Sequence, residues 1–208
     1  MLFEGGSRIE MRSSVMRSIV VLASGSGSLL QALIDSPARG EVFQISAVVS
    51  DNPDSLALNR ATAAGIEAVP LNYQRNLAAD WQQRLFETVM RFQPDLVVSA
   101  GFMRIIKSEL FRVVPTINAH PSLLPNFPGA HAVADALSAG VQQTGATVHY
   151  IDEGVDTGRI LAQQTVSVLA GDTESSLHER IKEVERVQLV QVVVKLCQQS
   201  DLWAGIEK

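Results

Sequence analysis

The stretch Ser18-Ile19-Val20-Val21-Leu22-Ala23-Ser24-Gly25-Ser26-Gly27-Ser28 is an apolar, β-branched run that stops in a glycine-rich turn. A run without polar alternation marks a strand covered on both faces, as strands of parallel sheets are. The turn leads into Leu29, Leu30, Leu33 and Ile34, apolar at helical spacing. Strand, tight turn and helix in that order predict the first unit of a doubly wound, mostly parallel α/β sheet.

The same alternation continues outward. Phe43 to Val49 reads as a second strand ending at Ser50-Asp51-Asn52-Pro53, followed by a helix from Asp54 to Ala64 that stops at Gly65. Ile66 to Pro70 gives a short third strand. A helix over about 78–92 carries Trp81, Leu85, Val89 and Phe92 on one face, and Pro94 to Gly101 holds another buried strand. After Thr144 the pattern changes. Ala146 to Ile151 and Ile160 to Val166 read as strands joined by turns with no helix between them, so the C-terminal part is expected to be mixed. A long helix from about Thr173 to Gln198 closes the chain. No repeat or linker separates its parts, which predicts one domain over 17–208 with two halves.

Composition narrows the function. At 208 residues and 46% hydrophobic, the chain has enough apolar material for one good core. A net charge of −5 with no local basic cluster argues against nucleic acid as a partner. No stretch approaches the roughly 18 apolar residues that span a bilayer. The first seventeen residues carry Glu4, Arg8, Glu10, Arg12 and Arg17 without an apolar segment, so they are not a secretory signal. Met1, Met11 and Met16 are all candidate starts, and 1–16 is expected to be a disordered extension of a cytoplasmic protein. The single cysteine, Cys197, lies in an apolar run and is expected to be a buried small hydrophobe.

Two segments carry chemistry. In Thr116-Ile117-Asn118-Ala119-His120 the amide and the imidazole are two apart, on one side of an extended run. Prolines at 121, 125 and 128 then stiffen the chain. In Asp152-Glu153-Gly154-Val155-Asp156-Thr157-Gly158-Arg159, acids sit between glycines that let backbone approach a ligand. A carboxylate on such a loop can orient a histidine or hold its cation, which makes Asp156 the partner for His120. The four histidines, 120, 131, 149 and 178, show no metal-ligand spacing, and no G-x-S-x-G elbow is present, so neither zinc nor a serine nucleophile is expected. Without a nucleophile, direct transfer to an amine or to water is favoured over a covalent intermediate. The turn Ser24–Ser28 lacks the third glycine of a dinucleotide fingerprint and the Lys-Ser/Thr of a P-loop, which leaves a phosphate monoester or a ligand-free turn.

Four motifs together resemble the phosphoribosylglycinamide formyltransferases, folate-dependent enzymes of purine biosynthesis, over about residues 18–198. They are Val20 to Ser28, Ser99-Ala100-Gly101-Phe102-Met103-Arg104-Ile105, Asn118-Ala119-His120-Pro121-Ser122-Leu123-Leu124-Pro125, and Gly154-Val155-Asp156-Thr157-Gly158. The resemblance implies a Rossmann-like formyltransferase fold with a phosphate-binding N-terminal half and a folate-binding, catalytic C-terminal half. It implies formyl transfer from 10-formyltetrahydrofolate, as co-substrate and with no metal, to the amine of glycinamide ribonucleotide. Asn118, His120 and Asp156 would be catalytic. Gly27, Ser28 and Leu29 would meet the phosphate and Glu185 the glycinamide. Met103, Arg104, Ile105 and Ile106 would bind folate, with Asn118 and the loop Asp152, Glu153, Gly154, Val155 and Asp156 on its other side. It also implies a cis peptide bond at Leu124-Pro125.

Two positions depart from the family's pattern. Leu29 stands where an asparagine is frequent, and Ala78 where an arginine helps to hold folate, with Arg75 nearby in sequence. Among relatives, formyltetrahydrofolate deformylase carries an additional N-terminal domain, against about seventeen residues here. Methionyl-tRNA formyltransferase carries an additional C-terminal domain and needs a tRNA surface that an acidic chain does not offer. A binding protein without activity is the remaining alternative. The sequence leaves a homodimer open.

Overall fold

The computed structural model describes residues 16–74, 78–107 and 109–203. Its first half runs β1 (Arg17–Leu22), α1 (Ser28–Ile34), β2 (Phe43–Ser50), α2 (Leu56–Ala63), β3 (Glu67–Pro70), α3 (Ala78–Met90) and β4 (Leu96–Ser99). The second half adds α4 (Leu110–Val113), β5 (Thr116–His120), α5 (Ala132–Ser138), β6 (Gln143–Tyr150), β7 (Ile160–Ser167) and α6 (Glu174–Cys197). The strands form one seven-stranded sheet in the order β3-β2-β1-β4-β5-β6-β7. The pairs from β3 to β5 are parallel, and β6 and β7 pair antiparallel, which is the mixed C-terminal part expected from the sequence.

β1 shows why an unbroken apolar run was needed. Ile19 and Val21 face a core shared with α1, α2 and the C-terminal half of α6, while Val20 and Leu22 face a second core against α3. The chain winds from β1 outward to β3, then crosses back to place β4 on the other side of β1. In open α/β sheets such a switch leaves a crevice outside the carboxyl ends of the strands, where ligands bind.

α6 closes the structure. Thr173 caps it with a capping box: its hydroxyl accepts from the Ser176 N–H, and the Ser176 hydroxyl accepts from the Thr173 N–H. Leu189, Val192, Val193 and Leu196 enter the core against β1 and β4, and Leu177 and Ile181 pack against Ala146 of β6 and Val166 of β7. Cys197 is buried there, and burial pushes its thiol up to about 12, so it behaves as the expected core hydrophobe. Among the described residues no helix is long and apolar enough to cross a membrane.

The differences from the sequence reading are local. α4 and α5, of four and seven residues, are too short to show a clear period. α2 starts at Leu56 rather than Asp54, because the Asn52 side chain accepts from the Asp54 N–H and prolongs the turn. The expected extension lies outside the described residues up to residue 15, and Met16 leads directly into β1.

Trp81 anchors the α3 side of the sheet. It is 1% exposed, its indole N–H donates to the Leu71 carbonyl at 2.8 Å, and it packs edge-on against Tyr73 and stacks on Phe102. Trp81→Ala is expected to lower unfolding free energy by roughly 3–5 kcal/mol, read from the denaturation midpoint at unchanged m.

Candidate active site

A cavity of about 640 Å³ opens beyond the carboxyl ends of β1, β4 and β5. The glycine-rich turn after β1 and the segment after β4 line it side by side, joined where the Ser24 N–H donates to the Gly101 carbonyl at 3.2 Å and the Met103 N–H donates to the Ser24 hydroxyl at 2.8 Å. The end of β5, the loop after β6 and the N-terminal half of α6 complete the lining.

Asn118 sits in a row fixed by strand register. Ser99 of β4 lies opposite Asn118 of β5, which lies opposite His149 of β6. The Ser99 hydroxyl donates to Asn118 Oδ1 at 2.7 Å, which turns the amide so that Nδ2 lies 3.3 Å from His149 Nε2. An N–H₂ group held at the cavity wall is a donor preset for a developing oxyanion.

His120 and Asp156 meet from separate elements. His120 Nε2 is 2.9 Å from the Phe127 carbonyl, which only accepts, so Nε2 carries a proton. Its Nδ1 then faces Asp156 Oδ2 at 3.4 Å. The same carboxylate accepts from the Gly129 N–H at 2.8 Å and places Oδ1 3.5 Å from His149 Nε2. Burial by itself raises the Asp156 pKa, but the His149 contact, the Gly129 N–H and the two imidazoles outweigh it and hold the carboxyl below its ordinary value. Asp156 is therefore an anion at neutral pH, next to three groups that stabilise it.

The glycines of the 152–158 loop explain how that carboxylate reaches its place. Asp156 has a φ of 56°, a left-handed conformation that aspartate tolerates better than most residues. A Cβ on Gly158 would fall 1.8 Å from the Tyr150 carbonyl oxygen, so only glycine lets the loop turn back against the end of β6. Asp152 accepts from the Gly154 N–H and the Thr157 hydroxyl, which ties the loop together. Asp152, Gly154 and Val155 border the cavity. Glu153 points away and pairs with Arg112 on the surface, so the structure does not bring it to the site.

Gly27, Ser28 and Leu29 also border the cavity. There Glu185 is 4% exposed and makes no hydrogen bond or ion pair with the described residues. Burial pushes its carboxyl up to about 7 against the pull of Lys182 and Arg186. Lys182 and His178, one and two turns earlier on α6, border the same cavity, and burial and then Lys182 lower the His178 pKa. In the segment after β4, Met103 and Ile105 are 66% and 57% exposed, whereas Ile106 is buried. Arg104 lies over the Tyr73 ring and binds the buried Asp51 through Nε at 2.6 Å. Ala78 opens α3 without bordering the cavity, and Arg75 lies outside the described residues.

Sequence reading missed His149, which it weighed only as a metal ligand, together with Ser99, His178 and Lys182. The spacing 178, 182, 185 places one side of a helix toward the cavity, and that signal was present. The Ser99–Asn118–His149 row depends on long-range strand register and was not.

Known proteins resemble the chain over most of its length. A formyl transferase family model matches residues 17–193. The chain is 46% identical over 181 residues to phosphoribosylglycinamide formyltransferase of Mycobacterium tuberculosis, covering 86% of this chain and 84% of that protein. It is 36% identical to phosphoribosylglycinamide formyltransferase of Bacillus subtilis, covering 87% of this chain and 95% of that one. Glycinamide ribonucleotide transformylase 1 from Symbiobacterium toebii superposes with a TM-score of 0.83 at 35% identity, covering 94% of this chain and 93% of that one. The chain belongs to the formyl transferase family and, within it, to the phosphoribosylglycinamide formyltransferases.

Proposed function

We propose that the protein transfers the formyl group of 10-formyltetrahydrofolate to the amine of glycinamide ribonucleotide, in cytoplasmic purine biosynthesis. The observation that carries this reading is that Asn118, His120 and Asp156 border one cavity, with His120 facing Asp156, and share it with an exposed apolar segment and a glycine-rich turn. The exposed apolar wall of Met103 and Ile105, with Arg104 and Ile106 beside it, suits the flat folate. Asn118 and the loop residues Asp152, Gly154, Val155 and Asp156 face that ligand from the other side. The turn Gly27, Ser28 and Leu29 suits a phosphate, met by main-chain N–H groups. Glu185 suits the glycinamide amine, because a buried carboxylate without a partner gains most from a ligand that hydrogen-bonds to it.

The chemistry follows from the positions. The amine nitrogen attacks the formyl carbon, and the carbonyl oxygen becomes an oxyanion that the Asn118 amide stabilises. His120 Nδ1, facing Asp156, takes a proton from the attacking amine. Collapse breaks the bond between the formyl carbon and folate N10, His120 returns its proton to N10, and tetrahydrofolate leaves. Hydrolysis to formate, as in a deformylase, is not favoured: the similar proteins are phosphoribosylglycinamide formyltransferases, and water would leave Glu185 unused. All these groups come from one chain, so a homodimer is not required for the site.

The first test is folate deformylation with and without glycinamide ribonucleotide. Acceptor-dependent release of tetrahydrofolate with formylated acceptor supports the reading, and equal release without acceptor overturns it. Asp156→Asn is expected to lower kcat by about 10²–10⁴ while the Kd of each substrate stays within about threefold. An unchanged kcat contradicts the role.

Glu185 links stability to function. Its carboxyl titrates near 4.5 when unperturbed and about 7 when folded, so the folded state binds the proton more tightly. Stability is then greatest below the lower value and falls as pH rises through this window. Glu185→Gln is expected to stabilise the free protein at about pH 8, by on the order of 1–3 kcal/mol, and to have less effect at about pH 5. The same variant should raise the KM for glycinamide ribonucleotide. Calorimetric melting at the two pH values and initial-rate kinetics read both effects.

A further inference from the structure

Arg60 of α2 stands behind the glycine-rich turn, on the side away from the cavity. Its Nε donates to the Ser26 carbonyl at 2.9 Å, and Nη1 donates to Gln31 Oε1 at 2.8 Å. It therefore ties the middle of the turn to the first helix beyond it. The Gln31 amide passes the contact on by donating to Asp35 at 2.8 Å. Two further contacts press α2 against the turn. The Ala57 N–H donates to the Gly25 carbonyl at 3.1 Å. Gly27, at a φ of 70°, approaches so closely that a Cβ would lie 2.8 Å from Ala57 Cα.

The chemistry of this buttress is one-sided. The Ser26 carbonyl and the Gln31 amide oxygen that accept from Arg60 are both neutral, and among the described residues no carboxylate forms an ion pair with it. Arg60 borders a shallow groove with Gln31, Arg39 and Asn59 rather than the main cavity, so it does not touch a ligand there. A guanidinium without a counter-charge raises the positive potential of the turn between it and the cavity. By holding the Ser26 carbonyl on its own side, it also keeps that oxygen away from an anion on the other. This matters most here because Leu29 supplies no side-chain donor to a phosphate.

We infer that Arg60 is a positioning residue for recognition of the acceptor's phosphate: it fixes the turn from behind and supplies the charge that the turn's main-chain donors lack. This rests on the reading that residues 27–29 meet that phosphate. Without touching the reacting atoms, Arg60 acts on acceptor binding and not on the chemical step.

The test compares two acceptors, glycinamide ribonucleotide and its dephosphorylated riboside, in wild type, Arg60→Met and Arg60→Lys. Arg60→Met should raise KM for the phosphorylated acceptor about tenfold, the size of one lost charge-assisted contact. Its kcat and its KM for 10-formyltetrahydrofolate should stay within about twofold, and its rate with the riboside should not change. Arg60→Lys keeps the charge but not the two-point hold, and should fall between. Equal losses with both acceptors, or an unchanged KM with the phosphorylated one, overturn the inference. If wild type does not prefer the phosphorylated acceptor, the reading of the turn fails first. An unchanged folate KM shows that each variant has folded.

Discussion

One carboxylate ties the active centre together. Asp156 reaches His120, His149 and the Gly129 main chain from a loop that belongs to none of their elements. In a partly dry site an anion is costly unless polar groups meet it; here the Gly129 N–H donates to it and two imidazoles lie beside it. The cost is visible in the backbone, where Asp156 adopts a left-handed conformation and Gly158 lies against the Tyr150 carbonyl. The surrounding structure enforces a loop shape that the isolated loop would not favour.

The sheet supplies the rest of the alignment. Parallel strands β1, β4 and β5 end on one side and define the crevice, and the antiparallel β6 then brings His149 alongside Asn118. His149 Nδ1 faces the Tyr150 carbonyl, which only accepts, so it carries a proton and leaves Nε2 between an amide donor and a carboxylate acceptor. Neutral, it accepts from Asn118; protonated, it donates to Asp156. The amide, the two imidazoles and the carboxylate thus form one connected polar cluster and not four separate groups.

Much of this was legible in the sequence, for physical reasons. The unbroken apolar run at Ile19–Leu22 has one structural meaning, a strand covered on both faces, and the alternation of Ile19 and Val21 with Val20 and Leu22 between two cores bears it out. The long last helix was readable from its Thr173 cap to its end, because capping chemistry is local. Asn118 and His120 were readable because strand periodicity is local too, and the Leu124–Pro125 bond is cis as the family resemblance implied. Glu153 could not be told from its loop neighbours, since which acid turns inward depends on Arg112, forty-one residues away. His149 and Ser99 were hidden for the same reason: their roles exist only once β4, β5 and β6 are in register.

The central claim is that His120 and Asp156 work as a unit, with the carboxylate acting through the imidazole. A double-mutant cycle on kcat, with both substrates saturating, tests it directly: His120→Gln, Asp156→Asn and the double variant against wild type. If the two act together, the double variant loses about as much as the worse single one. Losses that multiply across the two positions would mean that they act independently and would contradict the account.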